Sequence, residues 1–75
     1  MEELVKFIAE SIVDNPSEVS VNRVEEKHSI IVELSVADED MGKVIGKRGR
    51  IAKAIRTVVN AAAAKEGTKV KVDIK

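Results

Sequence analysis

The sequence has no cysteine, tryptophan or tyrosine, and only one phenylalanine, one histidine and one proline. Without thiols there are neither disulfides nor thiolate metal sites. A single histidine, His28, falls in a predicted turn with no carboxylate on the same predicted face to orient it, which leaves few candidates for a catalytic base near neutrality. Asp38, Glu39 and Asp40 are consecutive rather than spread as hard-cation ligands, so no metal, cofactor or enzymatic activity is expected. No apolar run approaches the ~20 residues of a membrane span, and the acidic Met-Glu-Glu start differs from the basic start of a secretory signal. The expectation is a cytoplasmic protein that does not enter membranes.

Charge is plentiful but cancels, with 13 Lys and Arg against 13 Asp and Glu. The cancellation hides a division. Residues 1–42 hold eleven acidic and three basic side chains, a balance of −8, whereas residues 43–75 hold ten basic and two acidic ones, a balance of +8. Six of those ten bases lie between Lys43 and Arg56, where no acid dilutes them. A chain so polarised attracts polyanions through its second half. A hydrophobic content of 44% is too high for a disordered chain, and 75 residues suffice for one small domain. Folding at this length buries only roughly 60% of the unfolded chain's surface, which favours self-association.

Periodicity supplies the elements. Leu4, Ile8 and Ile12 recur every fourth residue, with Val5 and Phe7 beside them, predicting an amphipathic helix whose single aromatic lies in the core. Asp14-Asn15-Pro16 ends it, because the residue before proline is pushed out of the α region. Val19 and Val21 share a face of a strand running to Glu25, and Glu26–Ser29 turns a hairpin. Ile30, Val32, Leu34 and Val36 alternate with Ile31, Glu33 and Ser35 in a second strand. Asp38-Glu39-Asp40 is expected to cap a short helix reaching Ile45. A long helix follows, with Ile51, Ile55, Val58, Val59 and Ala62 on its inner side, and Gly67 ends it. Val70, Val72 and Ile74 then alternate with Lys69, Lys71, Asp73 and Lys75 in a last strand. The order is α-β-β-α-α-β. A helical crossover makes the second and third strands parallel, so the expected fold is α+β, a three-stranded mixed sheet covered on one face by three helices.

Between the two later helices stands Gly46-Lys47-Arg48-Gly49. Glycine accepts the positive φ values of a sharp corner and leaves the backbone unshielded. The chain then enters a helix, whose first N–H groups and dipole favour a phosphate. Lys47 and Arg48 project at the tip, suited to a polymer passing over a surface. A Walker loop is excluded, because Gly42 and Gly46 enclose three residues and Lys47 is followed by Arg48. A dinucleotide fingerprint is excluded because a helix, not a strand, leads in.

The stretch "VIGKRGRIAKAI" resembles the signature of the KH domain, whose GxxG loop clamps about four backbone nucleotides. The element order resembles the type II form, as one KH domain over residues 1–75. The length, the "DNP" after helix one and "DMGKVIGKRGRIAKAIRTVV" are similar to the KhpA family of small bacterial RNA-binding proteins. The resemblance implies that Gly46, Lys47, Arg48 and Gly49 meet RNA phosphates and that Ile45 lines the apolar floor of a groove reaching the sheet edge. Lys43, Arg50 and Lys53 join them by position as electrostatic contacts, with Arg56 less central. Base-stacking aromatics are lacking, so binding of single-stranded RNA is expected to be weak, short in footprint, salt-sensitive and little selective. The resemblance further implies a homodimer, or a heterodimer with a second KH protein, KhpB, in post-transcriptional regulation. Ala54, Thr57, Ala61 and Ala64, small side chains at helical spacing, form the candidate interface. A protein-interaction adaptor, with RNA binding secondary, is the alternative use of the same fold.

Overall fold

The strand with the cleanest alternation lies at the centre of the sheet. In the computed structural model, which describes residues 1–75, β2 (Ile30–Ser35) pairs antiparallel with β1 (Ser20–Glu25) and parallel with β3 (Val70–Ile74). The register sets Val21 opposite Leu34, Val32 opposite Val72 and Leu34 opposite Ile74. Period-two geometry therefore gathers the valines and leucine on one face. Helices α1 (Glu2–Ile12) and α3 (Arg50–Lys65) cover it. Val5, Ala9, Ile55, Val59 and Ala63 from the helices meet Val32, Leu34, Val70 and Val72 from the sheet in one core. Each fully buried Val or Leu contributes about 1.5–3 kcal/mol. The predicted order α-β-β-α-α-β is the observed one.

The third helix, α2 (Met41–Ile45), is only five residues long and packs chiefly on α1 and α3 rather than on the sheet. Val44 fixes it, fully buried. The acidic triplet before it does not cap it as expected. Asp38–Asp40 forms a 3-10 turn, and no side chain there bonds to the N–H groups of α2. Asp40 instead turns inward, is completely buried, and accepts hydrogen bonds from the Asp14–Asn15 corner that follows α1.

Four apolar residues expected inside lie partly outside. Phe7 is 69% exposed, Val58 47%, Ile51 39% and Ile12, at the very end of its helix, 37%. The reason is angular: at about 100° per residue the inward direction of α3 passes through Ala52, Ile55, Val59 and Ala63, which leaves Ile51 and Val58 on the flank toward α1. In α1, Val5 and Ala9 take the inward positions, and Phe7 falls nearly opposite them. No helix is long and apolar enough to cross a membrane.

The long helix ends as its glycine implies. Gly67 has φ 70°, its N–H bonds to the Ala64 carbonyl at 3.2 Å, and the Thr68 N–H returns to the Ala63 carbonyl at 3.0 Å. This paired closure satisfies two helix-end carbonyls and aims the chain back into β3. Gly67→Ala is expected to destabilise the fold by about 1 kcal/mol through the left-handed backbone alone, since no atom crowds the position. Urea unfolding of both chains checks the difference.

Candidate nucleic-acid interface

The corner between α2 and α3 is built by three residues of positive φ in a run of four. Gly46 lies at φ 76°, ψ 173°, Arg48 at φ 57°, ψ 25° and Gly49 at φ 72°, ψ 17°. The Gly46 conformation belongs to a region that is essentially glycine-only. A Cβ there would also press into Ile51, meeting its backbone N at 3.0 Å and its Cγ1 nearer still. Gly49 faces open space, so only its φ requires glycine.

These dihedrals decide where the donors go. The Gly46 N–H is taken by the Gly42 carbonyl at 2.8 Å and the Gly49 N–H by the Gly46 carbonyl at 3.1 Å. Those of Lys47 and Arg48 have no acceptor within the chain. Consecutive N–H groups beside a left-handed residue form a concavity for an anion. Lys47, Arg48, Arg50 and Lys53 surround or follow it, and none of them is in an ion pair.

Beyond the loop, α3 divides by flank. Arg56 and Asn60 line an open hollow of about 270 Å³ with Val70, Lys71 and Val72 of β3. Lys69 and Lys75 bond to β2 through the Ile30 N–H and the Leu34 carbonyl, so alternation turns the backbone groups of Val70 and Val72 to the open edge. There Arg56 Nε donates to the Val72 carbonyl at 3.3 Å. On the opposite flank Ile51, Ala54, Ile55 and Val58 face Ile8 and Ile12 of α1 across a wholly apolar hollow of about 340 Å³. Between the two flanks the exposed crest carries Ala61, Thr57 and Ala64, with Ala54 at its apolar border.

The predicted residues are therefore brought together only in part. Gly46, Lys47, Arg48 and Gly49 form the corner, and Arg50 and Lys53 follow on exposed positions of α3. Ile45 is 39% exposed at its foot. Lys43 stands apart. It lies about 200° around α2 from Ile45 and pairs with Asp14, Nζ to Oδ2 at 2.7 Å. That hydrogen bond and the Asp14 charge raise its pKa. Asn60 was not singled out from the sequence, although its place four residues after Arg56 puts both on one flank. His28 is exposed in the hairpin, beside a hollow of about 440 Å³ whose lining mixes Glu25 and Glu26 with Lys27 and Lys69. Mixed charge there favours no ligand class.

Residues 2–74 match the family model described as KhpA/KhpB, KH domain. The chain is 66% identical over 74 residues to the RNA-binding protein KhpA of Clostridium perfringens, covering 99% of both chains. It is 64% identical to the RNA-binding protein KhpA of Caldanaerobacter subterraneus subsp. tengcongensis over the same length and shares. Among solved structures, Aquifex aeolicus Era bound to GDP.AlF4⁻ superposes with a TM-score of 0.71 at 21% identity. The match takes in 96% of this chain and 28% of that one, a likeness of fold.

The two glycines are expected to differ on substitution. Gly49→Ala costs about 1 kcal/mol for its positive φ, and Gly46→Ala about 3 kcal/mol, because overpacking against Ile51 adds to a glycine-only backbone. Denaturant midpoints of the two variants test the order.

Proposed function

The chain belongs to the KhpA/KhpB family of KH domains, and from that premise we propose that it is an RNA-binding protein, a single KH module that clamps short single-stranded RNA at the Gly46–Gly49 corner. The observation that carries this reading is the pair of free N–H groups at Lys47 and Arg48, set among four unpaired cations. The phosphates meet the backbone N–H groups and the Lys47 and Arg48 side chains, with Arg50 and Lys53 adding field along the strand. Ile45 packs beneath the bases, and the bases run toward Arg56, Asn60 and the open edge of β3. Lys43, held by Asp14, contributes charge at most from a distance. Aliphatic packing replaces stacking in this groove, so one module binds weakly and with little sequence preference. The protein acts in the cytoplasm without catalysing a reaction, in post-transcriptional regulation.

Weak sites gain from being joined. The crest of Ala54, Thr57, Ala61 and Ala64 is the surface for a second copy or for KhpB, and the exposure of neighbouring Val58 and Ile51 supports it. This crest lies between the apolar flank toward α1, which Ala54 borders, and the polar flank of Arg56 and Asn60. An adaptor role rests on the same apolar face.

Reversing the loop charge by Lys47→Asp with Arg48→Asp is expected to weaken binding of a labelled single-stranded RNA at least about tenfold, roughly 1.4 kcal/mol, and to flatten its salt dependence. Fluorescence anisotropy across a salt series measures both, and unchanged binding sinks the reading. For the partner face, Ala61→Glu is expected to lower the mass measured by light scattering from dimer to monomer. A wild-type chain that stays monomeric at high concentration excludes the self-association.

A further inference from the structure

Asp40 is the one charged side chain wholly removed from solvent, and the RNA contact above does not use it. Its carboxylate reaches across the sequence to the corner that follows α1. Oδ1 accepts the Asp14 N–H at 3.2 Å, and Oδ2 accepts both the Asn15 N–H and Asn15 Nδ2 at 3.0 Å. Asn15 Nδ2 also donates to Glu39 Oε1 at 2.9 Å, and the Lys43–Asp14 pair closes the same junction from outside. Burial pushes the Asp40 pKa up, but the bonds from Asn15 and from the two backbone N–H groups, with Lys43 nearby, outweigh it and leave the carboxyl below its usual value. A buried carboxylate persists as a charge only with such donors.

The position of this clamp matters because of what it precedes. Helix α2 has five residues and no side-chain cap, too little to hold an orientation by itself. It leads directly into the corner whose positive-φ residues aim the Lys47 and Arg48 N–H groups. Ile51 beneath Gly46 fixes the far end of that corner, and Asp40 with buried Val44 fixes the near end. We infer that Asp40 and Asn15 are positioning residues for RNA binding: they hold α2, and with it the GxxG corner, in the orientation that presents its N–H groups, while touching no RNA. The inference rests on the RNA-binding reading. Preorganisation of this kind raises affinity by lowering the ordering cost of the bound state.

Asp40→Asn tests it, because the substitution keeps shape and makes the chain more positive by one charge. A purely electrostatic role for Asp40 predicts tighter RNA binding. The clamp predicts the opposite: about five- to tenfold weaker binding of a fluorescein-labelled, mixed-sequence single-stranded RNA about ten nucleotides long, with the salt slope unchanged. Amide hydrogen exchange at Gly46–Arg50 is expected to quicken while circular dichroism reports a folded chain. If Asp40→Asn alone does not fold, Asn15→Ala, which keeps both backbone bonds, carries the test with a smaller loss. Wild-type affinity or better in a folded single variant, or a reduced salt slope, overturns the clamp. Absence of binding by the wild-type chain overturns the RNA-binding reading first, and the clamp with it.

Discussion

Gly46 lies against Ile51 so closely that no side chain fits between them, and the arrangement of the whole corner follows from that contact. With the backbone of α2's last turn resting on the first turn of α3, the chain must reverse within four residues. It does so through three residues of positive φ, one of them an arginine. The same reversal strips Lys47 and Arg48 of acceptors for their N–H groups. Close packing of two helices and the exposure of two backbone donors are thus one event.

Charge is divided by use as well as by sequence position. Several acids of the first half are consumed within the protein: Asp40 and Glu39 hold Asn15, Asp14 holds Lys43, and Glu33 binds Lys75 and Asn22. The cations at the corner have no such partners. An apparently neutral molecule therefore presents an uncompensated positive corner, and screening by salt acts on that corner more than on the enclosed Asp40 junction. Helix α3 carries the division further. Its core stripe, its apolar flank toward α1 and its polar flank toward β3 point in different directions, so packing on the sheet leaves both flanks open.

Much of the architecture is legible in the sequence because it depends on local period. Alternation at Ile30, Val32 and Leu34 identifies the central strand, and Gly67 marks the end of α3 whatever surrounds it. The family signature is likewise a matter of spacing, with two glycines three apart between helical isoleucines. Phe7, Ile51 and Val58 read as core residues and are not, for a physical reason. An apolar residue on a helix looks the same in sequence whether a neighbour covers it or not. Five residues of α2 offer too short a period to reveal that Lys43 and Ile45 face different ways.

By itself the sequence determined the order of elements, the pairing directions of the strands, and a glycine corner carrying Lys47 and Arg48. These follow from rules that operate within one turn or one strand, where φ preference and side-chain period act without reference to distant residues. Only the tertiary structure decided that Asp40 is a buried clamp rather than a helix cap and that Lys43 belongs to Asp14. It alone brought Asn60 to the edge of β3. Each of those outcomes joins residues far apart in the chain, and what a carboxylate or an ammonium does is set by whichever donor, charge or solvent the fold brings within about 3 Å of it.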